Sequence, residues 1–194
     1  MASLTSVDLH TRLSVSPLRW QFETADNPYD LNWVLTRLSL KGRHGRSRQV
    51  QTRVVVWELA DVAGICDRLA AGTRSNWQSR LMDSGLHLFI RRTGDRGDTF
   101  SVVALAAADG GPLPADYVPS WRNEWLDTPG AGVWGIRMTC SRGALGLFAH
   151  ELEAELQTWA PRPWVRPDNG ALEMPAAALE WAERQRKVEQ SGGR

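Results

Sequence analysis

The chain has 194 residues, 23 Lys plus Arg against 22 Asp plus Glu and a formal net charge of +1; this length suits one domain with an extension, and so balanced a charge predicts no bulk field drawing it to nucleic acid or to a membrane. Two cysteines, Cys66 and Cys140, are too few for a disulfide framework or a zinc-ligand set. No apolar run approaches the roughly 18 residues of a spanning helix, and "MASLTSVDLHTRL" lacks the apolar stretch of a secretory signal, so a cytoplasmic protein is expected.

In chain order, a first strand is expected near Val7 and Leu9. Leu18, Trp20 and Phe22 then alternate with Arg19, Gln21 and Glu23, the period of a half-buried strand. The segment 24–30, "TADNPYD", is turn chemistry. "LNWVLTRLSL" (31–40) and "QVQTRVVV" (49–56) read as two strands of a hairpin, and "KGRHGRSR" (41–48) between them as its long basic tip. Leu59, Val62, Cys66 and Leu69 then step by 3, 4 and 3, which predicts a helix over about 57–71 with Gly72 at the position just past its end. "TRSNWQSRLMDSG" reads as a connection. "LHLFIRR" (86–92) and "TFSVVALAAA" (99–108) predict a second hairpin about "TGDRGD".

Residues 109–130 hold several prolines and read as a long loop, a length usually tied to function. "GAGVWG" (130–135) spells the glycine pattern of a dinucleotide loop. That loop needs a strand before it and a helix after it, so that helix N–H groups meet the pyrophosphate. Here Trp134, Ile136, Met138 and Cys140 alternate downstream, which is a strand, so no cofactor is expected. Leu145, Phe148, Leu152, Leu156 and Trp159 mark a second helix, with Ser141 as its N-cap and Pro161 as its stop.

These elements predict an α+β fold: a curved antiparallel sheet of about six strands with two helices packed on one face, plus a C-terminal helical appendage. The expected organisation is one domain over 1–160, a Pro-rich linker over 161–174, and a C-terminal helix with a disordered end over 175–194. The ten tryptophans are scattered along the sequence and are expected mainly to fill the core.

Catalytic patterns fail one by one. "HELEAE" from His150 lacks the second histidine at position 154 that a zinc site needs. No G-x-S-x-G elbow occurs, and both cysteines fall on core-facing stripes, where a thiol is inert. His87 alternates with Leu86 and Leu88, so it is expected on the open side of its strand, with no partner in view. No catalytic residue, metal ligand or cofactor is therefore assigned. Two stretches suit a partner instead. One is the tip, with Arg43, His44 and Arg46; its plain alternative is a solvated hairpin end. The other is "SWRNEWLD" (120–127), with Trp121, Arg122, Glu124 and Trp125. If helical, it sets both rings on one face; its plain alternative is a turn burying them.

"YDLNW" (29–33), the basic hairpin, "WEL" (57–59) and "GIRMTC…LGLFAHEL" (135–152) together resemble the WapI-like bacterial immunity proteins over roughly 16–160. The resemblance implies a non-catalytic protein that neutralises a cognate toxin, and it supplies no site residues. The alternative is a small-molecule-binding or enzymatic α+β domain. A nucleic-acid role would need a continuous stripe of arginines with interleaved aromatics, and the tip carries no aromatic of its own.

Overall fold

A computed structural model describes residues 1–78, 85–93, 98–107, 113, 117–128, 132–176, 178–180 and 183. The α+β class and the antiparallel pairing match the expectation. The sheet does not: two sheets of four and five strands stand where a single sheet of about six was expected.

The first sheet is a meander of β1 (Ala2–Thr5), β2 (Arg12–Trp20), β3 (Trp33–Lys41) and β4 (Ser47–Val55). On β4, Val50, Thr52 and Val54 face inward while Gln49, Gln51 and Arg53 face solvent, the period-two burial of a sheet covered on one side. The N-terminal strand lies earlier than expected. Val7 and Leu9 sit in an exposed turn, with Leu9 at φ 63. The strand expected around Leu18 begins at Arg12 and ends at Trp20, leaving Phe22 outside it.

Val55 passes without a linker into α1 (Val56–Ala70), and this lifts the chain off the sheet. The strands after it therefore build a second sheet. Gly72, at φ 79, ends the helix: its N–H bonds the Leu69 carbonyl, and that of Thr73 bonds the Arg68 carbonyl, two otherwise orphaned acceptors.

The second sheet has the order β5 (Asn76–Gln78), β6 (Leu86–Thr93), β7 (Thr99–Ala107), β9 (Val133–Ser141) and β8 (Trp125–Thr128). Two of these strands, β5 and β8, lie in stretches read from sequence as connection and loop. Both are short and at sheet edges, where a strand needs little apolar periodicity. Most of the "TGDRGD" turn and of the segment 108–116 lies outside the described residues. The glycines at 132 and 135 lead into β9, as expected. In β9, Gly135 lets Leu105 close in, for a Cβ there would lie 2.2 Å from Leu105 Cδ2.

Helix α2 (Arg142–Gln157) starts at Ser141, whose hydroxyl accepts from the Ala144 N–H at 3.1 Å. The two helices pack on each other, with Gly146 against Ala70, and one apolar core joins their stripes to the inward faces of both sheets. Each fully buried Leu or Phe of that core, such as Leu59, Leu152 and Phe148, contributes about 1.5–3 kcal/mol. The sheets are stitched where the Gly85 N–H meets the Arg53 carbonyl at 3.2 Å and the Val7 N–H meets the Thr139 carbonyl at 2.8 Å.

A smaller cluster covers the other side of the second sheet. Phe89, Val103 and Leu105 there are roofed by Leu113, Tyr117 and Trp121. This roof corrects the expectation for His87: it shares that side of the sheet and is 3% exposed.

After α2, Asn32 anchors the chain by donating to the Arg162 carbonyl at 3.0 Å and accepting from its N–H at 2.7 Å. A ribbon of β10 (Trp164–Val165) and β11 (Leu172–Glu173) follows. A helical turn begins just after Pro175, and most of the chain beyond residue 180 lies outside the described residues. No helix among the described residues is long and apolar enough to cross a membrane.

Candidate functional site

The hairpin tip does not stand alone in solvent. At its apex His44 (φ 58) and Gly45 (φ 76) both take the left-handed conformation, which turns β3 into β4 within a few residues. The tip then folds down onto the start of β8. A Cβ at Gly42 would lie 2.5 Å from Trp125 Nε1 and 2.6 Å from Glu124 Oε1, so only glycine permits this approach. The Arg43 N–H donates to Glu124 Oε1 at 2.6 Å, and the Arg43 guanidinium bonds the Asp8 carboxylate. Arg46 lies 4.4 Å over the Trp125 ring, and Arg48 lies 4.0 Å over that of Trp134.

Five of the seven residues singled out in the sequence thus meet in one patch: Arg43, His44, Arg46, Glu124 and Trp125. His44 is exposed at the apex. The other two are elsewhere. Trp121 and Trp125 do not share a helical face, because Trp125 opens strand β8 and packs toward the main core. Trp121 packs on the opposite side of the second sheet, with Arg91 4.1 Å over its ring. Exposed Arg122 follows it, its N–H 3.5 Å from Ser120 Oγ.

Arg48, part of the basic tip read from sequence, joins the patch from the start of β4. Two contributors were missed: Asp8 and Trp134 come to the patch from a distant turn and strand, and nothing local in the sequence marks them. Asp8 is held from its ordinary 3.8 down to about 2. The Ser6 hydroxyl at 2.5 Å is the largest cause, followed by the His10 N–H at 3.1 Å, with Arg43 adding to them against the opposing effect of burial.

Beside the patch lies a polar cavity of about 340 Å³, lined among others by Ser6, Asp8, Arg43, Glu124, Arg137 and Thr139. The Nε of Arg137 is buried there with no hydrogen-bond partner among the described residues. A second cavity, of about 330 Å³, lies under Trp121 between Trp77, Phe89, Arg91 and Tyr117.

The tryptophans depart from the expected role. Of the nine described, only Trp57 is buried; the rest are half-buried at the margin of the core, five of them beneath an arginine. The indole suits that position, with an apolar body and a face that attracts a cation.

Both cysteines are buried free thiols. Burial pushes Cys66 up to about 12, with Asp67 adding to it, and pushes Cys140 up as well, so neither is a nucleophile at neutral pH. Among the described residues no three His, Cys, Asp or Glu side chains cluster to hold a metal. The arrangement offers fixed cations, half-exposed indoles and bound carboxylates, the means of gripping a surface.

Comparison with known proteins places the chain in a family. A family model described as "Immunity protein WapI-like family" matches residues 4–160, from β1 through α2. No curated protein and no solved structure matches the chain.

Proposed function

Because the chain belongs to the WapI-like immunity protein family, we propose that it binds one toxin polypeptide stoichiometrically and neutralises it, without catalysis and without a cofactor. The observation that carries this reading is the family match over residues 4–160, which takes in both sheets and both helices. The patch formed by Arg43, His44, Arg46, Glu124 and Trp125 is the contact region we assign to the partner; Trp121 and Arg122, the other residues singled out in the sequence, fall outside it. Two features support that choice. Arginine and tryptophan are the residues that most often dominate binding energy at interfaces. Here they are also held in place before any partner arrives, by Gly42, Glu124 and Asp8, which lowers the ordering cost of association.

The test is titration of the purified chain with the polypeptide encoded in the adjoining reading frame, followed by an assay of that polypeptide's toxicity. Saturation at one to one, with loss of toxicity, is expected. Arg46→Ala should weaken binding about tenfold, since it strips the cation from Trp125. A toxin that stays active in excess of the chain rules the reading out.

One observation favours a second reading, a small-molecule site: the cavity at Arg137, whose buried Nε lacks a partner among the described residues. A small anionic metabolite would raise the melting temperature of the wild type but not of Arg137→Gln.

A further inference from the structure

The balanced charge of the chain conceals a strong segregation. The four strands of the first sheet contain Arg12, Arg19, Arg37, Lys41, Arg48 and Arg53 and not one Asp or Glu. The pairing register sorts these cations by side. Arg12 lies opposite Lys41, Arg37 opposite both Ser16 and Gln51, and Leu35 between Arg19 and Arg53. Residues directly opposite share a face, and the alternating residues Leu13, Val15, Leu38, Leu40, Val50 and Val54 fill the core. Arg12, Arg19, Arg37, Lys41 and Arg53 therefore all project from the outward face, and all five are exposed. Arg48 points the other way, onto Trp134.

Among the described residues Arg12, Arg19, Arg37 and Lys41 form no ion pair. Two cations set directly opposite, as Arg12 and Lys41 are, destabilise a sheet rather than support it. The carboxylates lie on the helices instead, with Glu151 reaching the sheet edge, where it accepts from the Ser3 N–H at 2.8 Å, and Glu155 pairing with the N-terminal ammonium. Helices α1 and α2 carry Glu58, Asp61, Asp67, Glu151, Glu153 and Glu155 against Arg68 and Arg142, and they pack behind the inward face of this sheet. The net charge of +1 is thus the sum of a cationic sheet face and an anionic helical side.

We propose that the outward face of the first sheet is the surface that meets the toxin, and that the toxin presents an acidic surface to it. The proposal rests on the immunity reading and gives its partner a chemical character. The face runs into the patch at the hairpin tip, since Lys41 is followed directly by Gly42. Its floor is made of small hydroxyls, Ser3, Ser14, Ser16 and Ser39, two of them hydrogen-bonded to each other at 3.0 Å. A broad shallow floor rimmed by cations fits a protein surface. Single-stranded nucleic acid is gripped by stacking rings set among the cations. Among the described residues of this face the one such ring is Trp33, at one margin beneath Arg53.

The experiment measures association of the chain with the polypeptide from the adjoining reading frame, by stopped flow at several salt concentrations. The chains compared are the wild type, Arg12→Gln/Arg37→Gln/Lys41→Gln, its Arg12→Lys/Arg37→Lys counterpart, and Glu153→Gln from the helical side. All four are checked for an unchanged melting transition. The wild type should bind with a rate that falls as salt rises. The triple glutamine variant should associate about tenfold more slowly at low salt, while the lysine variant and Glu153→Gln keep the wild-type rate. If the triple variant binds as fast as the wild type, the face is not the docking surface, and the immunity reading stands. Failure of the wild type to bind that polypeptide at all overturns both. If the triple variant loses affinity only for a 20-nucleotide oligothymidylate, the face belongs to nucleic acid and the proposal is wrong.

Discussion

Asp8 shows how a single side chain fixes the patch. It accepts from Ser6, from the His10 N–H and from Arg43, and so joins the N-terminal turn to the hairpin tip. Its carboxyl is depressed from 3.8 to about 2, so the folded state holds the charged form more tightly than the unfolded chain does. The stabilisation is complete above about pH 4 and vanishes as pH falls toward 2. Asp8→Asn should therefore lower stability at pH 6, and its deficit against the wild type should close between pH 4 and 2 in acid titrations followed by circular dichroism. A constant deficit across that range would mean that Asp8 acts through shape alone. Residues of this kind were only half legible in the sequence. Arg43, His44 and Arg46 stood out as a cluster of like charge in a turn. Asp8, 35 positions earlier in the chain, gave no signal, because only the tertiary fold makes it a neighbour.

Secondary structure was legible wherever burial was one-sided and long. Helix α2 is the plainest case: its apolar stripe and Ser141 cap were both readable, and both hold. Ser141→Ala should cost about 1 kcal/mol in urea unfolding, as an N-cap substitution does, because the Ala144 N–H loses its acceptor. A change below a few tenths would mean that water replaces the hydroxyl at no cost. The edge strands were not legible. Asn76–Gln78 and Trp125–Thr128 have too few residues for alternation to be seen, and they form because β6 and β9 offer them a template. This is also why the helical alternative for "SWRNEWLD", with Trp121 and Trp125 on one face, fails. A strand that begins at Trp125 sends the two rings to opposite sides of its sheet instead.

At the scale of the whole molecule, the division into two sheets could not be read from strand periodicity, which does not say which strands pair. The core that closes over them was readable, in that Cys66 and Cys140 fall on the stripes and are wholly enclosed. Burial raises both thiols far above neutrality, so the thiolate is absent from the folded protein at pH 8. Neither should react with a water-soluble disulfide reagent while the chain is folded, and both should react within minutes in guanidinium. Prompt native labelling of either would show that the helices separate from the sheets in solution. The charge segregation was equally hidden. A sum over residues is blind to which strand positions face out, and only the register reveals that the cations of the first sheet share a side.

The seating of Arg46 over Trp125 has a practical outcome. A cation resting on an indole perturbs its excited state, so any event that lifts the arginine away should alter that ring's emission. The wild-type spectrum minus that of Trp125→Phe isolates this one chromophore from the other nine. The molecule carries its own optical gauge of occupancy at the tip, readable without any label.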